Sequence, residues 1–253
     1  MIPSLNDLCV APLDRLILHE AHDGNRLALL AERIRDEGVQ RHPVIISPQG
    51  DDYLVLDGAH RVQALKDLGC KFILAQEVEP PKKAESWGHL LKIPERLKLY
   101  EVENAEFSGS AADSWVAEIE FADGERVFVG VREPGLAEEV EGLWGLQKLY
   151  PEGGVVHRVD PDATVELAED EVIIRYRTFK PEELVEVVGS GAVLPAGITR
   201  FRARERVLGV RFPLDKLENG VLKERNAELR MLVEERWSQN RVRYYGEPVV
   251  LFE

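Results

Sequence analysis

The sequence predicts a mixed α/β (α+β) protein with two domains. Near the N-terminus, one helical pattern is followed by two strand patterns, a second helix and a further strand. The run Pro80-Pro81-Lys82-Lys83 then interrupts this order, and adjacent prolines favour a connector. Less regular strands and helices follow it. We therefore place the first domain over residues 1–82 and a second mixed α/β domain over residues 83–253.

Each element of the first domain has a local signal. From Asn25 to Glu37, apolar residues recur at helical spacing. The runs Pro43–Ser47 and Tyr53–Leu56 are β-branched or apolar and are flanked by turn residues, so they predict strands. A short helix follows from about Arg61 to Leu68, and Phe72–Val78 returns as a strand.

The second domain is predicted from a hairpin and a long helix. Trp115–Phe121 and Arg126–Val131 flank the turn signal Ala122-Asp123-Gly124, which favours a β-hairpin. A helical pattern covers about Leu214–Trp237, with a possible break at Asn219-Gly220. The other elements predicted there are a strand over Glu171–Phe179, a helix that opens at Lys180, and a closing strand over Val249–Glu253.

Composition argues against several classes of protein. The net charge is −14, whereas nucleic-acid binders usually carry a basic face. No apolar run approaches the length of a membrane span, and the opening residues have no export signal. Cys9 and Cys70 stand far apart, which argues against a disulfide scaffold or a cysteine zinc site and fits a reducing compartment. We therefore expect a cytoplasmic protein without a nucleic-acid or membrane partner. The net negative charge does not exclude small anionic ligands.

The segment Asp57–Arg61 has the composition of a phosphate-binding junction between a strand and a helix. Unpaired N–H groups at a helix N-terminus bind anions, and Gly58 lets a phosphate approach the backbone. Arg61 can donate a forked pair of hydrogen bonds to phosphate, and His60 can donate another. Asp57 would repel phosphate unless Mg²⁺ lay between them. The alternative is an ordinary strand–turn–helix junction with a surface ion pair.

Three blocks resemble the ParB/sulfiredoxin-like domain over about residues 10–80. They are Gly38–Ile46, then Asp57–Arg61, then Leu65–Gly69, in the order of that family. Sulfiredoxins carry their catalytic cysteine where this chain has Ala59, so their chemistry is excluded. ParB partition proteins continue into a helix-turn-helix, for which we find no clear counterpart.

A third branch, the free L-serine kinases and their siderophore-cluster relatives, is similar over most of the chain. The shared features are Leu18-His19-Glu20, the Asp57–Arg61 loop, Trp87, and the segment Pro195–Phe201. The resemblance implies a kinase that converts free L-serine to O-phospho-L-serine, with ATP or ADP as donor and Mg²⁺ as cofactor.

The resemblance also implies roles for single residues. Glu20 matches the family's catalytic glutamate, which would act as general base, and Asp57 would bind Mg²⁺ or share the proton transfer. The remaining candidates fall into three groups: Gly58, Ala59, His60, Arg61 and Arg26 for the nucleotide phosphates; Val39 and His42 for the base; and Trp87, Thr199 and Arg200 for serine.

A second hypothesis is a ParB-like nucleotide-binding regulator that binds DNA or a partner protein and has no kinase activity. Glu20 separates the two, because a kinase needs a base near its acceptor. Taken alone, Glu20 is also typical of a solvated loop, Trp87 of a core, and Thr199-Arg200 of an exposed strand. The choice between ATP and ADP, the choice between serine, homoserine and another hydroxyl amino acid, and the oligomeric state stay open.

Overall fold

The computed structural model describes residues 5–21, 24–79, 84–93, 105–109, 115–150 and 156–247, with the backbone alone at 24–26 and 105. The chain forms two compact units. The first contains Met1–Leu16, Gly24–Glu79 and Ala203–Glu253, and the second contains Ile17–Asp23 and Pro80–Arg202. The mixed α/β class is confirmed. This division differs from the expected domains, since residues 203–253 cluster with the first unit and residues 17–23 with the second.

The first unit contains a five-stranded sheet of order β1-β6-β4-β5-β2. Its strands are β1 (Leu8–Pro12), β2 (Leu16–Ile17), β4 (Val44–Gln49), β5 (Asp52–Asp57) and β6 (Phe72–Glu77). Helix α1 (Gly24–Glu37) precedes the short strand β3 (Val39–Gln40), and helix α2 (Ala59–Asp67) follows β5. The predicted helix–strand–strand–helix–strand order is therefore confirmed, and β1, β2 and β3 are additional strands that we did not predict.

Strand β4 lies in the middle of the sheet, between β5 and β6. Strand β4 is antiparallel to β5, with Ile46 opposite Val55, and parallel to β6, with Val44 opposite Ala75. The chain must therefore cross from β4 through β5 and α2 to reach β6. The side chains of β4 from Val44 to Ser47 are all buried, as expected for a central strand covered on both faces.

The late part of the chain completes the first unit. Strand β15 (Phe212–Pro213) pairs with β3, and the predicted long helix is two helices, α5 (Asp215–Glu218) and α6 (Leu222–Ser238). The possible break at Asn219-Gly220 is confirmed, because Gly220 has a φ of +118°. Asn226 on α6 donates to the carbonyl of Val10 and accepts from its N–H, both at 2.9 Å.

The second unit contains a six-stranded antiparallel sheet of order β12-β8-β13-β10-β11-β9. Its strands are β8 (Gly88–Lys92), β9 (Ala105–Ser108), β10 (Trp115–Phe121), β11 (Arg126–Val131), β12 (His157–Val159) and β13 (Glu171–Tyr176). The predicted hairpin is β10–β11, and β13 ends earlier than expected. A separate pair joins β7 (Glu85–Ser86) to β14 (Thr199–Arg200).

Two of the described helices belong to the second unit, α3 (Leu136–Gln147) and α4 (Pro181–Gly189). Their buried residues, Leu143 and Leu184 among them, contribute to its core together with Ile119 and Ile174. The expected connector at residues 80–83 and closing strand at 249–253 lie outside the described residues. Of the helices that are described, none has both the length and the apolar character to cross a membrane.

Candidate functional site

The predicted phosphate-binding segment forms a tight turn between β5 and α2. Gly58 caps the helix with φ +104° and ψ 27°, the left-handed region that favours glycine. A Cβ at Gly58 would lie 2.7 Å from Cγ1 of Val44, so a side chain there would also collide. The helix begins at Ala59, and the first helical bond runs from the N–H of Val62 to the carbonyl of Gly58 at 3.0 Å. The earlier N–H groups of α2 have no acceptor within the helix, as an anion site requires.

Arg61 is held by the protein itself. Its Nη1 donates to the carbonyls of Pro43 at 2.6 Å and His42 at 3.2 Å, and its Nη2 donates to Oδ2 of Asp57 at 3.0 Å. The sequence predicted that this fork would bind phosphate. In the structure, this fork fastens the segment between β3 and β4 to the turn after β5. Arg61 thereby fixes the shape of the turn.

Asp57 has a second arginine partner that the sequence did not predict. Nη1 of Arg206 donates to Oδ2 of Asp57 at 3.1 Å, and 45% of the Arg206 side chain is exposed. Both arginines use Oδ2, and no hydrogen bond or ion pair among the described residues occupies Oδ1. The described parts of the chain contain no cluster of three or more His, Cys, Asp or Glu that could bind a metal alone. Oδ1 of Asp57 can supply one oxygen ligand to a Mg²⁺ ion that takes its other ligands from nucleotide phosphates and water.

The residues expected at the nucleotide base share one pocket. Val39 and His42 line a cavity of about 130 Å³, together with Leu30 and Ile34 of α1. Nδ1 of His42 accepts a hydrogen bond from the N–H of Gly209 at 3.0 Å, which fixes Nδ1 as an unprotonated nitrogen.

The other two side chains predicted to contact phosphate are those of His60 and Arg26. His60 lies half-buried in the first turn of α2, at the N-terminal end of that helix. The backbone of Arg26 lies in the first turn of α1, and its side chain is outside the described part of the structure.

In the second unit, Glu20 is held by the segment that precedes and enters β14. Its Oε2 accepts from the N–H of Gly197 at 2.9 Å, and its Oε1 accepts from the N–H of Thr199 at 2.5 Å and from its hydroxyl at 2.6 Å. A backbone bridge between Glu20 and Leu194 aligns the two segments. The structure therefore joins two predicted site residues, Glu20 and Thr199, that stand far apart in the sequence.

The hydroxyl of Thr199 also contacts His19. Nε2 of His19 lies 2.8 Å from Oγ1 of Thr199, and the His19 side chain is buried. The single hydroxyl proton of Thr199 is donated to Glu20, so Nε2 of His19 must donate to Thr199. The chain of bonds from His19 through Thr199 fixes the orientation of the Glu20 carboxylate.

A buried polar cluster holds the same segment by its carbonyl. Nε2 of His89 lies 2.8 Å from the carbonyl of Gly197, and its Nδ1 lies 2.7 Å from the hydroxyl of Tyr150. That hydroxyl in turn bonds to the hydroxyl of Tyr176. Because the carbonyl can only accept, Nε2 carries the proton and Nδ1 accepts from Tyr150. Burial lowers the pKa of His89 to about 4, so the ring is neutral at pH 7.

Sequence reasoning missed His89. A single histidine within a strand has no spacing signal, although His89 follows the predicted Trp87 by only one intervening residue.

Trp87 and Arg200, both predicted to bind serine, are in contact with each other. The guanidinium of Arg200 lies 4.2 Å from the centroid of the Trp87 ring, and its Nη1 donates to Oδ2 of Asp160 at 2.6 Å. The hydrogen bond from Arg200 lowers the pKa of Asp160. The N–H of Trp87 donates to the carbonyl of Ile198 at 2.9 Å, so this pair borders the segment that holds Glu20.

Comparison with known proteins finds relatives that are named as serine kinases. No family model matches it. It is 26% identical over 250 residues to the ATP-dependent L-serine kinase SbnI of Staphylococcus aureus, a match that covers 97% of each chain. It is 28% identical over 211 residues to the ADP-dependent L-serine kinase SerK of Thermococcus kodakarensis, covering 77% of this chain and 86% of the relative.

A solved structure shows that the fold is shared. The structure of SbnI with a C-terminal truncation, from Staphylococcus aureus, has a TM-score of 0.81 at 23% identity and covers 94% of this chain and 100% of its own. The motifs, the full-length relative and the shared fold agree with one another. The chain is similar to the free L-serine kinases in sequence over 97% of its length and shares the fold of a solved relative.

Proposed function

We propose that this protein is a free L-serine kinase that transfers a phosphoryl group from ATP or ADP to the hydroxyl of L-serine. The observation that carries this proposal is the match over 97% of the chain to a relative named as an ATP-dependent L-serine kinase. A second relative is named for ADP, so both nucleotides stand as candidate donors. The product is O-phospho-L-serine in either case.

The first unit would bind the donor nucleotide. The glycine at position 58 and the open N–H groups at the start of α2, from Ala59 to Arg61, suit a phosphate, and the helix dipole adds a favourable field. The pocket lined by Val39 and His42 would take the base. Arg26, in the first turn of α1, is proposed to reach the transferred group.

Asp57 would bind Mg²⁺ through Oδ1 while Arg61 and Arg206 hold Oδ2. When bound, the ion would neutralise phosphate charge and bridge phosphate oxygens. Arg206 is exposed and uses one nitrogen for Asp57, so its other N–H groups can donate to phosphate. Arg61 supports this arrangement through the carbonyls of His42 and Pro43.

Glu20 would accept the proton of the serine hydroxyl. An ionised carboxylate has about four sites for hydrogen bonds. Oε1 already accepts two bonds from Thr199, whereas Oε2 accepts one bond from Gly197 among the described residues. Oε2 is therefore the oxygen that the hydroxyl would approach, and a positioned general base contributes about 10²- to 10⁴-fold to the rate.

The three residues expected to bind serine would then have different tasks. Thr199 donates its hydroxyl to Glu20 and so orients the base. Trp87 and Arg200, stacked on each other, would form a wall of the serine site.

Phosphorus NMR on the purified protein with Mg²⁺ and L-serine tests the function. ATP and ADP are supplied in separate tubes, and the products are phosphoserine with ADP in the first or phosphoserine with AMP in the second. We expect a phosphoserine resonance in at least one tube. Intact nucleotide in both tubes, from protein shown to be folded by circular dichroism, would contradict the proposal. Homoserine and L-threonine in place of serine define the acceptor.

A further inference from the structure

The carboxylate of a free amino acid needs a cationic partner, and the predicted partners are already engaged. Nη1 of Arg200 donates to Asp160 at 2.6 Å, and the hydroxyl of Thr199 donates to Glu20 at 2.6 Å. Both of these donors are therefore already used by carboxylates of the protein. Another cation beside the segment that holds Glu20 would fill this role better.

Arg158 lies in that position. It stands on β12 directly opposite His89 on β8, and opposite residues in an antiparallel pair project from the same face. Its guanidinium packs against Gly197, because a Cβ at Gly197 would lie 2.7 Å from both Nε and Cζ of Arg158. The N–H of this same Gly197 donates to Oε2 of Glu20. The guanidinium and the proposed base therefore border one peptide group.

The electrostatic surroundings of His89 support this proximity. Burial is the largest influence on the pKa of His89 and lowers it. The charge of Arg158 lowers it further, and the charge of Glu20 opposes both. Both charged groups thus lie close enough to act on the same ring.

Arg158 also differs from its neighbours in having no ion-pair or hydrogen-bond partner among the described residues. Arg200 and Arg202 share Asp160, and Arg202 also contacts Glu85. Within the described residues, Arg158 makes no ion pair or hydrogen bond, and its side chain is exposed. A guanidinium presents a planar fork of donors that matches a carboxylate, and this fork is available in Arg158.

We propose that Arg158 binds the α-carboxylate of the acceptor and thereby selects amino acids over other alcohols. This assignment rests on the proposed kinase function. In serine, the hydroxyl and the carboxylate are carried by neighbouring carbon atoms. A base and a cation that both lie against Gly197 suit such a substrate.

The test compares L-serine with L-serinamide, which keeps the hydroxyl and the amino group but has a neutral amide in place of the carboxylate. Phosphorylation rates are measured for wild type, Arg158→Gln and Arg158→Lys, at varied acceptor and saturating nucleotide. Arg202→Gln is the matched control, because it removes an exposed arginine of the same unit that is already paired. Thermal unfolding checks that each variant is folded.

We expect kcat/KM for L-serine to fall about 10- to 100-fold in Arg158→Gln, as for the loss of a hydrogen bond to a charged group, with the change mainly in KM. The rate with L-serinamide should change by less than about threefold, because this acceptor has no carboxylate for Arg158 to bind. Arg158→Lys should recover part of the loss with L-serine, because lysine keeps the charge. Arg202→Gln should behave as wild type.

Two results would overturn the assignment. Unchanged preference for L-serine in Arg158→Gln would show that another group binds the carboxylate. An equal loss with both acceptors would place Arg158 at the base or at the transferred phosphoryl group. Failure of the wild type to phosphorylate L-serine is a separate result, which would overturn the proposed function itself and the assignment with it.

Discussion

Acidification should destabilise the protein through the buried ring of His89. Burial lowers the pKa of His89 from an ordinary value of 6.5 to about 4 in the folded protein. Between these values, the unfolded chain binds a proton that the folded protein does not, so the free energy of unfolding falls as the pH decreases. At about 1.4 kcal/mol per pKa unit, this ring alone removes about 3 kcal/mol between pH 7 and pH 4. Above pH 6.5 it contributes no pH dependence.

Urea unfolding of wild type and His89→Gln at several pH values between 7 and 4 measures this effect. A glutamine amide can reach approximately the position of Nε2 and donate to Gly197, but it does not titrate. Other titrating groups are common to both proteins, so their contribution cancels in the difference. We expect the wild type to lose about 3 kcal/mol more than the variant over this range. Equal losses would refute the account of His89 as a buried neutral donor.

Two further predictions concern the first unit. Gly58→Ala should lower the free energy of unfolding by about 1–3 kcal/mol and weaken nucleotide binding, because alanine is strained at this φ and its Cβ would collide. Gly50→Ala is the control, since Gly50 also has a positive φ but has no atom near its Cβ position, and urea unfolding should separate the two. Arg206→Gln should weaken nucleotide binding in a calorimetric titration while leaving stability within about 1 kcal/mol, as for an exposed ion pair. A nucleotide affinity equal to that of wild type would exclude Arg206 from the phosphate site.

Local patterns were sufficient for the secondary structure around the phosphate-binding turn. The apolar spacing of α1 and the β-branched runs of β4 and β5 depend on neighbours in sequence, so these elements were predicted correctly. The break between α5 and α6 was predicted from Asn219-Gly220 for the same reason. Strand β1 was missed because Leu8–Pro12 is short and lacks alternation, and its pairing with β6 defines it.

The partners of the site residues required the three-dimensional structure. Asp57 and Arg206 are separated by 149 positions, and Glu20 and Thr199 by 179, so no local pattern connects them. The sequence selected Arg61 by motif, but its bonds to two backbone carbonyls depend on how the segment before β4 folds. The clustering of residues 203–253 with the first unit was unforeseen for the same reason.

The rate of phosphoserine formation in a single turnover tests the central claim most directly. Wild type and Glu20→Gln are mixed with saturating L-serine and with limiting nucleotide, quenched, and assayed for phosphoserine by mass spectrometry. Glu20→Asp, which keeps a carboxylate, is the matched control, and nucleotide affinity is measured for all three proteins. We expect Glu20→Gln to be about 10²- to 10⁴-fold slower with unchanged nucleotide affinity, and Glu20→Asp to retain more activity. Phosphoserine formed by folded Glu20→Gln at the wild-type rate would contradict the assignment of Glu20 as the base.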